Sequence, residues 1–399
     1  MKILFVSEYF PFPPDSGSKQ RIWHTIQHLS QKHQLFLVTF QPDELDEASL
    51  AEVRHYADVI FCKAPSLSRW RKLLNFFSLT PLGVWRRYSP DFIYTIRRMM
   101  EESEYGVVFL VEMWLAPYLS VNHGGLRVID KHNLEFVRAR RRWETVGRGN
   151  GRNAMTYWYY KTIYWRLQHY ELHILRQFSA ILVCSEQDAS LLRELDETLE
   201  AYVMPNGVDL AYFHPQSTIT TKKSLVFTGT FSYEPNVDAA VYFVEEILPL
   251  VREQYPEIEL YLVGSNPHPR VKALAKDPRV IVTGYVDDVR PFVWDAAIVI
   301  VPLRMGSGTR LKVLEAMAME KPLVSTSIGC EGISTVSDEH LLVANTPTEF
   351  AEAIGRLLRE DGLPKALGRN GRRLVELQYS WEKTVLVLDD LFPASMENE

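Results

Sequence analysis

Two long stretches of this 399-residue chain repeat one pattern, and it narrows the possible folds more than any single motif does. Short apolar runs alternate with segments of helical periodicity. In the first stretch the runs fall at 2–7, 35–40, 59–62, 107–111, 126–130, 181–184 and 202–204. In the second they fall at 225–228, 259–263, 280–283, 298–301, 323–325 and 341–343. A strand buried on both faces is apolar throughout rather than alternating, and strands separated by helices pair in parallel. The pattern predicts an α/β protein with two Rossmann-like halves, each a parallel sheet covered on both sides. Residues 208–223 lose periodicity and gain proline, serine and threonine, as a domain junction does. The expected domains are 1–207, 208–378 and a terminal helical stretch, 379–399.

Composition agrees with two soluble cores. The chain is 46% hydrophobic and 24% charged, ordinary for globular proteins and too long for one core. A net charge of −6 gives no support for nucleic acid as the main partner. Cys62, Cys184 and Cys330 lie far apart, with neither metal spacing nor a disulfide framework, which fits a reducing cytoplasm. The apolar run at 3–6 is too short for a signal peptide, and no run approaches the ~20 residues of a membrane span.

Helices are expected at 19–31, 157–175, 237–254, 269–275, 289–294, 311–319, 348–360, 364–378 and 381–392. Ile22, Ile26 and Leu29 face inward on the first. Ile163, Leu167, Tyr170 and Ile174 make 157–175 read as a core helix despite its many aromatics.

Residues 301–332 form the most informative unit. An apolar run ends at Pro302, the loop Gly306-Ser307-Gly308-Thr309 follows, and Leu311, Leu314, Met317 and Ala318 mark a helix. This is strand, glycine loop, helix, strand, with the loop at the carboxyl end where doubly wound sheets bind ligands. Backbone N–H groups there can approach an anion, and Arg310 and Lys312 add full charges. Glu315, one turn on, can reach a ligand's hydroxyls. A plain βα turn with a solvated charged face fits the loop equally well. Gly17 and Ser18 stand in a similar loop after the first strand, where a structural turn is the competing reading.

The first half also carries basic and aromatic clusters. Trp70, Leu73, Leu74 and Phe77 share a helical face, with Arg71 and Lys72 off it; Arg138 to Trp143 adds four arginines. An anionic membrane surface could meet such a patch. An ordinary helix with a solvated basic side explains it too.

Several segments together resemble the retaining glycosyltransferases of family 4. They are Phe227 to Asp238 (FTGTFSYEPNVD), Leu262-Val263-Gly264, Gly284-Tyr285-Val286 and Leu314-Glu315-Ala316-Met317. Met204 to Asp209, Val183 to Glu186, His132-Asn133 and Ser380-Trp381 extend the likeness over the whole chain. The resemblance is strong over 205–332 and loose over 40–125. It implies the GT-B fold: two facing Rossmann-like domains, with a C-terminal helix crossing back to the first. It implies a nucleoside-diphosphate sugar donor, a glycan, glycolipid or small-molecule acceptor, and no metal cofactor. Glu315 would take the ribose hydroxyls, since a carboxylate offers only acceptors to a diol. Tyr285 and Val286 would meet the base. Gly229, Thr230 and residues 306–309 would line the donor, Gly17 and Ser18 would approach its diphosphate, and His132 would lie near the transferred sugar.

Two departures from that pattern stand out. Ser307 replaces the glutamate usual eight residues before Glu315. The Arg and Lys that many relatives carry after the first strand of the second domain are missing, with Thr230 and Pro235-Asn236 in that region. Buried phosphates need compensating charge, so Arg310 and Lys312 are expected to have taken over the cationic role. Asp287-Asp288 is adjacent rather than spaced as a metal pair and reads as a helix cap. No carboxylate nucleophile is evident, so attack on the same face within an ion-pair-like state is expected. Polysaccharide or glycolipid assembly is the expected setting, in the cytoplasm or on the inner membrane face.

Three other readings share the architecture. A sugar-nucleotide 2-epimerase would want further catalytic carboxylates. A dehydrogenase would want a third glycine after Gly306-Ser307-Gly308. A catalytically inactive sugar-nucleotide-binding or scaffold protein needs none of the transfer chemistry.

Overall fold

The structure is a computed structural model that describes residues 1–65, 80–119, 124–148, 154–216, 223–306 and 308–392. The chain forms two compact units, one of Met1–Pro205 with Val385–Glu399, the other of Asn206–Thr384.

The first unit holds seven strands: β1 (Lys2–Val6), β2 (Gln34–Phe40), β3 (Asp58–Cys62), β4 (Val107–Val111), β5 (Leu126–Lys131), β6 (Ala180–Val183) and β7 (Ala201–Val203). They run β3-β2-β1-β4-β5-β6-β7, all parallel. Ile3, Leu4, Phe5 and Val6 are fully buried, and Phe5 stacks on Phe109 of β4. Helices α1 (Gly17–Ser30), α2 (Glu135–Arg148) and α3 (Ala154–Leu175) bear on function.

The second unit holds β8 (Ser224–Thr228), β9 (Glu259–Val263), β10 (Val280–Gly284), β11 (Ile298–Val301), β12 (Leu323–Ser325) and β13 (Leu342–Val343). Their order is β10-β9-β8-β11-β12-β13, again parallel. Chain order reverses between β1 and β4 in one sheet and between β8 and β11 in the other. The loops leaving these strands at their carboxyl ends are where an open α/β sheet leaves room for a ligand.

Two helices differ from expectation. Residues 237–254 are not one regular helix: α4 (Glu234–Tyr242) leads into a π turn (Phe243–Ile247) and then a second helical piece (Leu248–Gln254). Pro249 supplies no N–H to the ladder, and the widened turn sits directly before it. The stretch 381–392 is likewise two pieces, Trp381–Thr384 and α6 (Val387–Leu391), with α5 (Leu311–Ala318) preceding both in the chain. The first piece stays with the second unit, where Val208 N–H donates to the Tyr379 carbonyl at 2.7 Å. The second belongs to the first unit. There Asp389 pairs with His28 and Lys32 of and beside α1, and Phe392 is buried against Phe109.

Helix α3 is only half a core helix, which corrects the expectation for 157–175. Its C-terminal part is inside, with Glu171, Ile174 and Leu175 buried. Its N-terminal part leaves Trp158, Tyr159 and Trp165 exposed. Trp70, Arg71, Lys72 and Phe77 lie outside the described residues. No helix among the described residues is long and apolar enough to cross a membrane.

Candidate functional site

In the second unit the site begins with glycines that cannot be replaced without moving backbone. Gly229 leaves β8 at φ +153° and Gly264 leaves β9 at φ +152°. A Cβ on Gly264 would stand 1.8 Å from the Gly229 carbonyl oxygen. The two loops touch main chain to main chain, which only glycine permits. Gly284 ends β10 in the left-handed region at φ +73°. Beyond it Tyr285 is 74% exposed and Val286 is half-buried against the core. Tyr285 thus presents an open aromatic face at the end of the sheet.

The loop after β11 carries two more left-handed glycines, Gly306 at φ +126° and Gly308 at φ +79°. Ser307 between them lies outside the described residues. Thr309 is buried, and Arg310 takes the extended N-cap position of α5. A Cβ on Gly306 would meet the Arg310 guanidinium at 2.7 Å, so the cation rests on bare backbone. Helix α5 buries Val313, Leu314, Ala316, Met317 and Ala318. Spacing of three and four fixes that face, and Lys312 and Glu315, three apart, share the other.

Lys312 does not stay with its own loop. Its ammonium crosses the Phe227 ring at 4.3 Å and donates to Asn236 Oδ1 at 2.9 Å. Asn236 is buried, and its Nδ2 donates to the Thr230 carbonyl at 2.9 Å. The amide's orientation follows from these partners: the oxygen must face the ammonium and the nitrogen the carbonyl. A Cβ on Gly229 would come within 2.7 Å of the same ammonium. Lys312 therefore delivers its charge to the loop after β8, the loop that has no cation of its own. Burial pushes Lys312 down to about 7, with Glu315 opposing and Arg310 adding to the shift. Burial pushes Glu315 up to about 7, with Lys312 opposing. Arg304 is committed elsewhere, to Asp238 at 2.7 Å and over the Tyr242 ring on α4.

In the first unit three predicted residues come together. Gly17 opens α1, and Ser18 in its first turn places Oγ 3.1 Å from His132 Nδ1. His132 follows β5 and is 7% exposed. Its backbone N–H donates to Glu112 Oε1 at 3.1 Å, and its Nε2 faces Asp130 Oδ2 at 3.4 Å.

Beneath His132 lies a buried charge network that sequence reasoning missed. Arg21 is fully buried, and its guanidinium takes Asp130 with Nε at 2.8 Å and Nη2 at 2.6 Å, while Nη1 donates to the Met204 carbonyl. Burial opposes ionisation of Asp130, but the Arg21 cation and His132 hold it well below the usual carboxylate range. Lys131, also fully buried, bonds Glu112 and lies 3.2 Å from Glu171. Glu171 accepts the Phe136 N–H at 3.0 Å, at the start of α2. One ammonium faces two acids here. Glu112 is held below its ordinary value by Lys131 and His132 against the cost of burial. Glu171 is pushed by burial up to about 7, so it takes up a proton first. Glu112 sits in the left-handed region at φ +64°, a conformation non-glycine residues adopt only where surroundings hold it. The signal in the sequence was Asp130-Lys131-His132: three polar residues in a row after the apolar pair Val128-Ile129.

Asp288 accepts the Arg290 N–H at 2.9 Å and pairs with its side chain, a local turn. Among the described residues no group of three or more His, Cys, Asp or Glu is placed to hold a metal ion.

Comparison with known proteins follows the same division. Residues 222–360, from just before β8 to beyond β13, match the family described as Glycosyl transferases group 1. The chain is 22% identical over 398 residues to an uncharacterized 44.6 kDa protein in the cps region of Klebsiella pneumoniae, covering 96% of this chain and 97% of that one. It is 27% identical over 202 residues to an uncharacterized glycosyltransferase of Methanocaldococcus jannaschii, covering 48% and 54%. Among solved structures it resembles sucrose-phosphate synthase from Thermosynechococcus elongatus, with TM-score 0.71, 18% identity and 98% of each chain covered. Anabaena HepE in complex with UDP and glucose gives 0.68, at 12% identity over 98% and 99% of the chains. A variant of S. aureus TarM in complex with Fondaparinux, alpha-GlcNAc-glycerol and UDP gives 0.70, at 10% identity over 98% and 99%. These matches favour neither the epimerase nor the inactive reading. The chain has the GT-B fold, residues 222–360 carry the group 1 sequence, and together they support a glycosyltransferase.

Proposed function

We propose that this chain moves a glycosyl group from a nucleoside-diphosphate sugar to a hydroxyl acceptor, with retention of anomeric configuration, without a metal ion, in polysaccharide or glycolipid assembly. The observation that carries the reading is the placement of Lys312: its ammonium stands over Gly229, held by Asn236, with Arg310 at the N-cap of the same helix and Glu315 in its second turn. HepE binds UDP with glucose and TarM binds UDP with alpha-GlcNAc-glycerol, which supports a donor of this class.

Cleavage of the donor builds negative charge on the departing diphosphate, and pre-placed donors lower that barrier most. Arg310 can fork two phosphate oxygens, while Lys312 acts as a point charge. Glu315 takes the ribose diol, and Tyr285 offers the base an aromatic face. His132, oriented by Ser18 and by the Glu112–N–H bond, positions the transferred sugar and the acceptor. Glu112 is engaged in the buried network, accepting from Lys131 through one oxygen and from the His132 N–H through the other. Retention then proceeds by attack on the face from which the diphosphate leaves.

The pH dependence should report the two shifted groups. Donor capture needs Glu315 ionised and Lys312 protonated. As pH falls through about 7, Glu315 gains a proton and can no longer accept from both hydroxyls as a carboxylate does; as pH rises through about 7, Lys312 loses its charge. kcat/KM should trace a narrow bell near neutrality. Glu315→Gln should remove the acid limb, and Lys312→Arg should move the alkaline limb beyond the working range.

A donor screen tests the function itself. With UDP-, GDP-, ADP- and dTDP-sugars, one donor should raise the melting temperature and release its nucleotide with acceptor present. Release should persist in EDTA and fall to background in Glu315→Ala. Binding of every donor without turnover would establish the inactive reading instead.

A further inference from the structure

We propose that the exposed face of α3, with α2 beside it, docks the first unit onto an anionic lipid bilayer. Met155, Trp158, Tyr159 and Trp165 are 82%, 60%, 56% and 50% exposed. At 3.6 residues per turn these four lie within about a third of the helix circumference, along ~15 Å of its axis. Large apolar and aromatic side chains in one line facing water are costly unless something covers them. The rings that face the opposite way are already occupied: Tyr164 stacks on Trp143 of α2, and Tyr157 packs against the same indole. The outer rings meet neighbours on α3 itself, Trp158 with Tyr157, Tyr159 with Tyr160 and Trp165 with His169, and stay at least half exposed.

Charge identifies the cover. Helices α2 and α3 carry seven Lys and Arg against three Glu, while the whole chain is −6. Lys161 stands at the edge of the stripe, its ammonium 4.8 Å from the Trp158 ring, and Arg142 lies over Tyr160 at 4.9 Å. Arg138 and Arg140 make exposed ion pairs with Glu135 and Glu144 on the same helix. Such pairs are weak in water and exchange readily for a denser field of phosphates. Trp and Tyr are the side chains that settle at headgroup depth, apolar body inward and polar edge outward, and flanking Lys and Arg hold such a helix in the interface plane.

A second copy of the chain is the less suitable occupant. A two-fold contact sets the same patch against itself, and that would place the cations of one α2–α3 pair against those of the other. A bilayer of anionic lipid offers the opposite charge and accepts aromatic rings without a shaped pocket. The surface lies within the first unit and does not depend on the proposed transfer reaction. If both hold, it would bring the chain to lipid-linked acceptors.

The full-length chain should co-sediment with vesicles of phosphatidylglycerol and phosphatidylcholine in equal parts, and not with phosphatidylcholine alone. High salt should release it. Trp158→Ala with Trp165→Ala should weaken binding at least about tenfold, as should Arg142→Glu with Lys161→Glu. The melting temperature should be unchanged in Trp158→Ala with Trp165→Ala, because these rings are at least half exposed. Tryptophan emission should shift to the blue on vesicles in the wild type and lose that shift in Trp158→Ala with Trp165→Ala. Failure to bind anionic vesicles would overturn the proposal. So would binding untouched by both variants, which would put the membrane contact on another face. A dimer in solution abolished by these variants, with vesicle binding intact, would assign the stripe to self-association instead.

Discussion

Lys312→Met should lower kcat/KM for sugar transfer about 10²- to 10³-fold, the usual cost of removing one pre-placed charge donor from a reacting centre. Methionine keeps an unbranched stem over the Phe227 ring, so what is lost is the charge and its bond to Asn236. The loss should fall mainly on kcat. Negative charge on the leaving diphosphate is greatest in the transition state, and an interaction that strengthens there accelerates the chemical step. Arg310→Ala should also reduce transfer, with more of its effect in donor affinity, because a fork on two oxygens grips the ground state as well. Asn236→Ala is the companion experiment. It removes no cation, but it frees the ammonium from its place over Gly229, and part of the same kcat loss should follow. If Lys312→Met and Arg310→Ala both transfer sugar like the wild type, the assignment of the diphosphate to this loop is wrong.

Arg21→Met should destabilise the first unit by about 3–5 kcal/mol, the range for breaking a buried ion pair by removing one partner. Asp130 would be left ionised at 1% exposure with its guanidinium gone. The measurement is chemical or thermal unfolding, followed by a probe in the first unit. Arg21→Met combined with Asp130→Leu should recover much of the loss, because the cost comes from the stranded charge more than from the missing attraction. A pH series gives an independent check. Asp130 has a folded pKa below its unfolded one, so the pair contributes fully above about pH 4, the ordinary aspartate value, and is lost as pH falls below it. Wild-type stability should therefore drop in acid more steeply than that of the double variant. Equal stability of Arg21→Met and the wild type would show that the pair carries no net energy.

The two-sheet architecture was legible because parallel strands buried on both faces leave wholly apolar runs, and each run expected to be a strand overlaps a strand. Residues 107–111, 259–263, 298–301 and 323–325 are strands to the residue. Periodicity did less well where its contrast fails. Residues 157–175 have aromatics on every side, so nothing in the spacing told the Trp143-facing rings from the water-facing ones. Arg21 sits next to Ile22 on a helix whose inner face was clear, yet a charge beside an apolar stripe reads as solvated unless its partner is known. That partner, Asp130, is 109 positions away. The loop after β11 was legible by its glycines, Arg310, Lys312 and Glu315. The reach of Lys312 across to Asn236 was not, because side-chain direction is settled by packing against Phe227.

A charge borrowed from a distant loop escapes any survey made along the chain. Lys312 stands 76 positions after the asparagine that anchors it, yet its ammonium fills the space above Gly229. Sorting such sequences by whether a basic residue follows β8 would overlook the ammonium that stands beside that loop here. The diagnostic set is instead spatial: a glycine leaving β8, an asparagine at the start of α4, and a lysine in the first turn of α5. Among divergent chains those three should be gained and lost together, since a side chain at 229 would collide with the lysine and a different residue at 236 would leave it unanchored.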